Sequence, residues 1–159
     1  ITIKLIFPFA IFFLCAWATS VAQAHSPADP KAIAHAMKKL FDKPEAPLHV
    51  APVSVEGDYA VAGWIQGQRG GRALLQKRNS QWVIVVCAGD GLTQVESLTQ
   101  TGMHRDAAQR LTQKVATSEA RLPTDTLLKF ASFEGMLRVD NAAANGHAHG
   151  VAAQGQHKH

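Results

Sequence analysis

Four histidines near the carboxyl end of the chain form two His-x-His pairs, His147 with His149 and His157 with His159. The segment that holds them, residues 141–159, is otherwise mostly Ala, Gly and Gln. Neutral imidazole is the commonest side-chain ligand of transition metals, and four imidazoles on one short segment can converge on a single ion without a preformed fold. Because the segment has too little apolar bulk to offset the entropy of ordering, we predict a disordered, metal-binding tail. A tail without function, from sequence drift or cloning, is the open alternative.

The first 24 residues are typical of a secretory signal peptide. Lys4 precedes an almost wholly apolar run from Leu5 to Ala18, and small residues at Ala22 and Ala24 suit signal peptidase. The apolar run of about 14 residues is shorter than the roughly 20 that a membrane-spanning helix needs. We therefore predict cleavage after Ala24, export to the periplasm, and no stable membrane insertion of the mature protein.

Cleavage at that position would make His25 the new amino terminus. The α-amine and the ring nitrogen of His25 could then chelate one ion, and an α-amine of pKa about 8 is partly neutral at pH 7, so little work is needed to deprotonate it. Among common divalent ions, Cu(II) binds nitrogen ligands most tightly. His25 and the tail imidazoles therefore predict bound copper, as Cu(II). Alternatively, His25 follows the cleavage site by chance.

Cys87 would be the only thiol of the exported chain, because Cys15 lies in the predicted signal peptide. The apolar run Trp82–Val86 leads directly to Cys87 and is typical of a core strand, so we expect a buried and unreactive thiol. In an oxidising compartment, a bound soft metal or a disulfide to another molecule are the alternatives.

The remaining histidines and the methionines do not form a ligand cluster in the sequence. Single histidines at scattered positions are more often surface residues than ligands, and this applies to His35, His49 and His104. The methionines lack the close Met-x-x-Met spacing that is typical of Cu(I) carriers. We therefore assign Met37, Met103 and Met136 to the core.

Helical periodicity predicts a helix at the start of the mature chain. Asp29 is typical of an N-cap and Pro30 of the first helical position, while Lys43-Pro44 would end the helix. The apolar residues that recur at helical spacing, and are expected to face inward, are Ile33, Met37, Leu40 and Phe41.

From Leu48 onward the apolar period changes to two, which predicts strands. On the first strand we expect one face to carry His49, Ala51, Val53 and Val55, and the other Val50, Pro52 and Ser54. Three more strands are predicted at 59–66, 72–78 and 81–88, with turns at 56–58, 68–71 and 79–80. Connections this short exclude helical crossovers and predict an antiparallel meander. The glycines of the 68–71 turn lack the Lys and the helical context of a phosphate loop.

Helical periodicity returns after Gly91. We predict a helix from Leu92 that closes at Gly102, a second helix over about 105–120, and a short third helix from Thr124 through Phe130. Asp90 is interpreted as a helix cap. Residues 132–140 are either a fifth strand or an extended segment on the sheet.

These elements predict one α+β domain over residues 25–140. It comprises an N-terminal helix, an antiparallel meander of four or five strands, and C-terminal helices packed on one face of the sheet. The aromatic residues expected in the core are Trp64, Trp82 and Phe133.

The charge of the chain argues against nucleic acid as a partner. The whole sequence has 16 Lys plus Arg and 12 Asp plus Glu, and only Lys4 among these lies in the first 24 residues, so the mature chain carries 15 minus 12, or +3. Such a weak excess is not a nucleic-acid footprint. The sequence also lacks a carboxylate pair with catalytic spacing, so we expect a binding protein and not an enzyme.

Beyond these patterns, the sequence shows a set of motifs distributed along the predicted domain. They are Leu40–Pro44, Val53-x-Val55, Ala60–Trp64, Gly70–Leu75, Trp82–Leu92 and Phe130–Gly135. Together they resemble the copper uptake system-associated proteins, small exported proteobacterial proteins usually encoded near outer-membrane copper receptors. The resemblance covers about Pro27 to Asp140 and is most specific in Gly70–Leu75 and Trp82–Leu92. It implies copper, the periplasm and a His-rich tail, but it supplies no set of ligands.

The sequence therefore predicts a periplasmic copper-binding accessory protein that holds or hands on Cu(II) through histidines. The predicted metal ligands are His25, His147, His149, His157 and His159. The predicted partners are the copper ion and an outer- or inner-membrane copper transport protein. The alternative is a protein-interaction module for a membrane copper receptor, with no metal site of its own.

Overall fold

An antiparallel sheet with helices on both of its faces organises the chain. The structure is a computed structural model that describes residues 28–139. Its helices are α1 (Ala28–Phe41), α2 (Val95–Thr99), α3 (Arg105–Glu119) and α4 (Thr124–Ala131), with a short 3-10 helix at Asp90–Thr93 before α2. Its strands are β1 (Leu48–Glu56), β2 (Tyr59–Gln66), β3 (Arg69–Arg78), β4 (Gln81–Ala88) and β5 (Met136–Arg138). The strand order β1-β2-β3-β4-β5, antiparallel throughout, confirms the α+β meander.

Short turns connect the strands because turn residues adopt positive φ. Asn79 and Ser80 have φ of 49° and 62° and join β3 to β4 in a two-residue turn. The β2–β3 turn is also short, because Gln66 pairs with Arg69, and Gly67 supplies a φ of 60°. The prediction of a turn at 68–71 was therefore wrong, and β3 begins three residues earlier than predicted.

Strand β1 departs from simple alternation. The register with β2 shifts between Val50 and Val53, which marks a bulge. As a result Val50 packs on the same core as Val53 and Val55. The predicted division of β1, which placed Val50 opposite Val53 and Val55, was wrong because a bulge residue resets the period of two.

Two apolar cores lie on opposite faces of the sheet, since successive residues of a strand point to opposite sides. Helix α1 covers the first core, which contains Ile33, Met37, Leu48, Val55, Ala60, Ala62, Ala73, Leu75, Trp82, Ile84 and Cys87. Helices α2 and α3 cover the second, which contains Val61, Leu74, Val86, Ala88, Leu92, Leu98, Met103, Ala108, Leu111 and Val115. Each fully buried Leu, Ile or Val contributes about 1.5–3 kcal/mol of hydrophobic stabilisation.

Helix α1 differs from its prediction at both ends. It begins at Ala28, so Asp29 lies within the first turn and is not the N-cap. The Asp29 carboxylate instead accepts hydrogen bonds from Lys77 Nζ (3.1 Å) and Trp82 Nε1 (3.3 Å), which tie the start of α1 to the β3–β4 hairpin. At the other end Leu40 and Phe41 are exposed, because the inward face ends with Met37.

The C-terminal part contains the predicted helices, but the first is divided into the 3-10 helix and α2. Helix α4 buries Phe130 completely and leaves Leu128 exposed. Residues after α4 form β5, which pairs with β4 and decides between the two predicted alternatives in favour of a strand. Met136 is exposed on this edge strand, so its assignment to the core was wrong. Of the aromatic residues predicted in the core, Trp82 is buried, whereas Trp64 and Phe133 are only partly buried.

Candidate functional site

The predicted histidine ligands lie outside the residues that the structure describes. These are His25, His147, His149, His157 and His159. Within residues 28–139 no group of three or more His, Cys, Asp and Glu side chains could hold a metal ion. The three histidines among the described residues are all exposed: His35 lies on α1, His49 on β1 and His104 just before α3. The copper site thus stays a prediction.

The two ends of the described chain leave on the same side of the sheet. At the first end, Asp29 in the first turn of α1 contacts Trp82 at the start of β4. At the other end, β5 runs antiparallel to β4, and the amide of Val139 donates to the carbonyl of Val85 (2.9 Å). Along β4, β5 therefore runs in the direction from Ala88 toward Trp82. The segment that precedes Ala28 therefore attaches near the start of β4, and the segment that follows Val139 attaches beside the middle of this strand.

Cys87 lies beside an apolar cavity of about 140 Å³ between α1 and the end of the sheet. The lining includes two sulfur-bearing residues, Met37 and Cys87, together with aromatic and aliphatic side chains. Cys87 is 8% exposed, and burial raises the pKa of its thiol to about 11. At pH 7 only about one thiol in 10⁴ is ionised at that pKa. The predicted buried thiol is confirmed.

Trp64 forms part of the wall of this cavity and has an unusual feature. Its Nε1–H is buried without a hydrogen-bond partner among the described residues. The indole is held by Phe133 in an edge-to-face contact, with ring centroids 5.9 Å apart and planes at 81°. Gly71 allows this arrangement, since a Cβ there would lie 2.9 Å from Trp64 Cζ2. Trp64 thus lines the cavity and carries a buried Nε1–H without a partner among the described residues.

Gln66 joins the end of α1 to the sheet at the edge of the cavity. Its amide nitrogen donates to the carbonyl oxygens of Phe41 (2.7 Å) and Ala46 (2.8 Å). Leu48, which also lines the cavity, donates its backbone N–H to the Asp42 carboxylate (2.7 Å). These contacts fix the segment between α1 and β1 over the cavity.

A second cavity, of about 580 Å³, lies between α3, α4 and the 3-10 helix, and an ion triad forms one wall. Arg72 donates from Nε and Nη2 to the two carboxylate oxygens of Glu119 (2.8 and 2.7 Å) and from Nη1 to Asp90 (3.0 Å). Asp90 is therefore an ion-pair partner, and its prediction as a helix cap was wrong: the N-cap of this 3-10 helix is Gly89.

The triad serves structure more than chemistry. Burial alone lowers the pKa of Arg72, but hydrogen bonds and the charges of Glu119 and Asp90 outweigh it and raise the pKa. Each guanidinium nitrogen already donates to a carboxylate, and the group stacks 5.3 Å from the centre of the Phe130 ring. Arg72 thus engages both carboxylate oxygens of Glu119 and one of Asp90.

Sequence reasoning missed this triad, although one signal was present. Glu119 follows Leu111 and Val115 at intervals of four, so it continues the inward stripe of α3. A carboxylate on an apolar stripe needs a buried cation. Arg72 is that cation: it lies two positions before the buried Leu74 on β3 and therefore points to the same face of the sheet.

Comparison of the chain with protein-family models, with curated proteins and with solved structures finds no match. Among residues 28–139, no helix combines the length and the hydropathy needed to cross a membrane.

Proposed function

We propose that this chain is a periplasmic copper-binding accessory protein in copper uptake or homeostasis, which holds or hands on Cu(II) through histidines. The proposed ligands are His25 at the mature amino terminus and the tail histidines His147, His149, His157 and His159. The observation that supports a joint site is that both ends of the described chain lie beside the Trp82–Val85 part of β4.

The strand register gives the separation between the two positions on β4 that these ends contact. Val139 lies opposite Val85, and Trp82, next to the first turn of α1, is three residues further along β4. Three strand residues correspond to about 10 Å. Short peptide segments can bridge the interval between these two positions on β4.

The number of residues on each side is sufficient. His25 lies three positions before Ala28, a stretch that can span at most about 11 Å, and His147 lies eight positions after Val139, a stretch that can span at most about 28 Å. Nitrogen ligands from both ends can thus reach one Cu(II) ion, which favours a shared site over two unconnected ones.

Cu(II) titration of the mature protein against a competing chelator tests this proposal. One variant replaces all four tail histidines with Ala, and a second carries one extra residue before His25, which blocks the amino-terminal chelate. We expect each change to weaken binding of the same ion, because both remove ligands of a shared site. The matched control replaces the three exposed histidines of the folded part, and should bind as the wild type does: His35, His49 and His104. Unchanged copper binding in both test variants would refute the proposed histidine site.

The alternative, an interaction module for a membrane copper receptor, is favoured by one surface feature. Three of the five large apolar side chains exposed within the described residues lie at the end of α1 and on the α1-facing side of β5, and we call them the α1–β5 patch: Leu40, Phe41 and Leu137. Phe41 and Leu137 also line the Cys87 cavity. Apolar patches of this kind mark protein–protein contacts.

Leu137→Glu, with Leu128→Glu on α4 as control, separates the two functions. The two leucines are exposed to 59% and 63%, so neither change disturbs a core. If copper binding is the function, both variants should bind Cu(II) and support copper uptake by cells equally. Loss of uptake in Leu137→Glu alone, with copper binding intact, would favour the interaction module.

A further inference from the structure

The Cys87 cavity brings together the ligand types that soft metals prefer. Met37 and Cys87, which are 2% and 8% exposed, both line it, although one belongs to α1 and the other to β4. Thiolate and thioether sulfur favour Cu(I) over the harder divalent ions. The surrounding residues are apolar or aromatic apart from the Gln66 amide.

The charge of the cavity restricts the ion further. None of the described residues that line it is charged, so any bound cation must be neutralised by its own ligands. One thiolate and one neutral thioether carry a single negative charge. A monovalent cation forms a neutral complex with this pair, whereas Zn(II) or Cu(II) would leave an uncompensated positive charge in an apolar site.

The unpartnered Trp64 Nε1–H adds a second, independent observation. A buried donor without an acceptor carries an energetic penalty of about 1–3 kcal/mol. A neutral thiol is a weak acceptor, but a thiolate is a strong one. Formation of a metal thiolate would place a strong acceptor in the cavity that Trp64 lines.

We propose that this cavity is a binding site for a soft monovalent cation, Cu(I), with Cys87 and Met37 as its sulfur ligands. Binding replaces the thiol proton: the Cys87 S–H bond breaks, a bond from sulfur to Cu(I) forms, and one proton passes to solvent. The oxidation state of the metal does not change. Because binding releases a proton, binding strengthens as the pH rises. The site is separate from the histidine site and goes beyond it.

Anaerobic titration of the full mature chain with Cu(I), against a competing chelator, tests the site, with Ag(I) as a redox-inert second probe. The ultraviolet charge-transfer absorption of a metal thiolate reports on Cys87 alone, since no other cysteine follows position 24. We expect this absorption to saturate at one ion per chain, with one proton released. Cys87→Ser should abolish the absorption. Zn(II) should not produce it.

Met37→Leu and Met103→Leu form the decisive pair of variants. Both replace a buried methionine with a side chain of similar volume, but Met103 lies in the core on the opposite face of the sheet. We expect Met37→Leu to weaken Cu(I) binding at least about tenfold and Met103→Leu to leave it unchanged. Equal affinities in these variants, or no thiolate absorption in the wild type, would overturn the proposal. The methionine variants keep the test valid if Cys87→Ser does not fold. Cu(II) binding by the histidines gives no thiolate absorption, so failure of the Cu(I) site and failure of the histidine site are measured separately.

Discussion

Glu119→Gln should destabilise the protein strongly, because it leaves a buried cation without its main partner. Glu119 and Arg72 are 8% and 3% exposed, and two hydrogen bonds of 2.8 and 2.7 Å join them. The amide has nearly the shape of the carboxylate but no charge, and its NH₂ group would face an N–H donor of Arg72.

The magnitude follows from the burial of the pair. Removing one partner of a buried ion pair destabilises a protein by about 3–5 kcal/mol. Asp90, whose side chain is 68% exposed, still accepts from Arg72 at 3.0 Å and compensates part of the loss. We therefore expect about 3 kcal/mol, the low end of the range given for such pairs.

Urea denaturation followed by circular dichroism measures this loss. With a slope of about 1.5 kcal/mol per M, the midpoint should fall by about 2 M. Glu96→Gln is the matched control, because Glu96 pairs with Arg105 at 3.4 Å and both side chains are largely exposed, so its loss should stay below about 1 kcal/mol. Equal midpoints for the two variants would refute the assignment of the triad as a structural ion pair.

Three further predictions concern other parts of the fold. Gly63→Ala should lower the free energy of unfolding, measured in urea, by about 1–3 kcal/mol, because the added Cβ would lie 2.5 Å from Phe130 Cζ. Gly91→Ala is the control and should stay within about 0.5 kcal/mol of the wild type, because its Cβ would meet no atom closer than 3.8 Å. Burial raises the pKa of Glu56, but hydrogen bonds and charges of nearby Lys and Arg side chains outweigh it and lower the pKa below 4.5. The stability that Glu56 contributes is therefore complete above pH 4.5 and is lost as the pH falls through the lower native pKa. Glu56→Gln should reduce this acid dependence of the unfolding free energy. Cys87 should react slowly with thiol reagents at pH 7 in the folded apo protein and rapidly in urea; rapid labelling of the folded form would contradict its burial.

The strands that carry a clear period of two could be predicted from the sequence. Strands β2 and β4 have the predicted bounds, and the Asn79-Ser80 turn is where its composition places it. Errors arose where a distant element decides the conformation. Gly70 and Gly71 were predicted as turn residues, but they lie in β3, where their missing side chains let the backbone of Lys129 and the ring of Trp64 approach.

The candidate sites could be predicted only in part, for a related reason. Burial of Cys87 follows from its own strand, so the sequence predicts it. The proximity of Met37 to the same cavity depends on how α1 crosses the sheet, and the pairing of Arg72 with Glu119 joins residues 47 positions apart. Neither contact has a local sequence signal that specifies its partner.

The copper content of untagged protein purified from its native periplasm tests the central proposal most directly. Purification without an affinity tag matters, because an added histidine tag would bind the same ion. Elemental analysis by mass spectrometry, compared with that of the variant in which the four tail histidines are Ala, should find at least one copper per wild-type chain and less in the variant. Copper-free wild-type protein, or equal copper in both proteins, would contradict a histidine copper site.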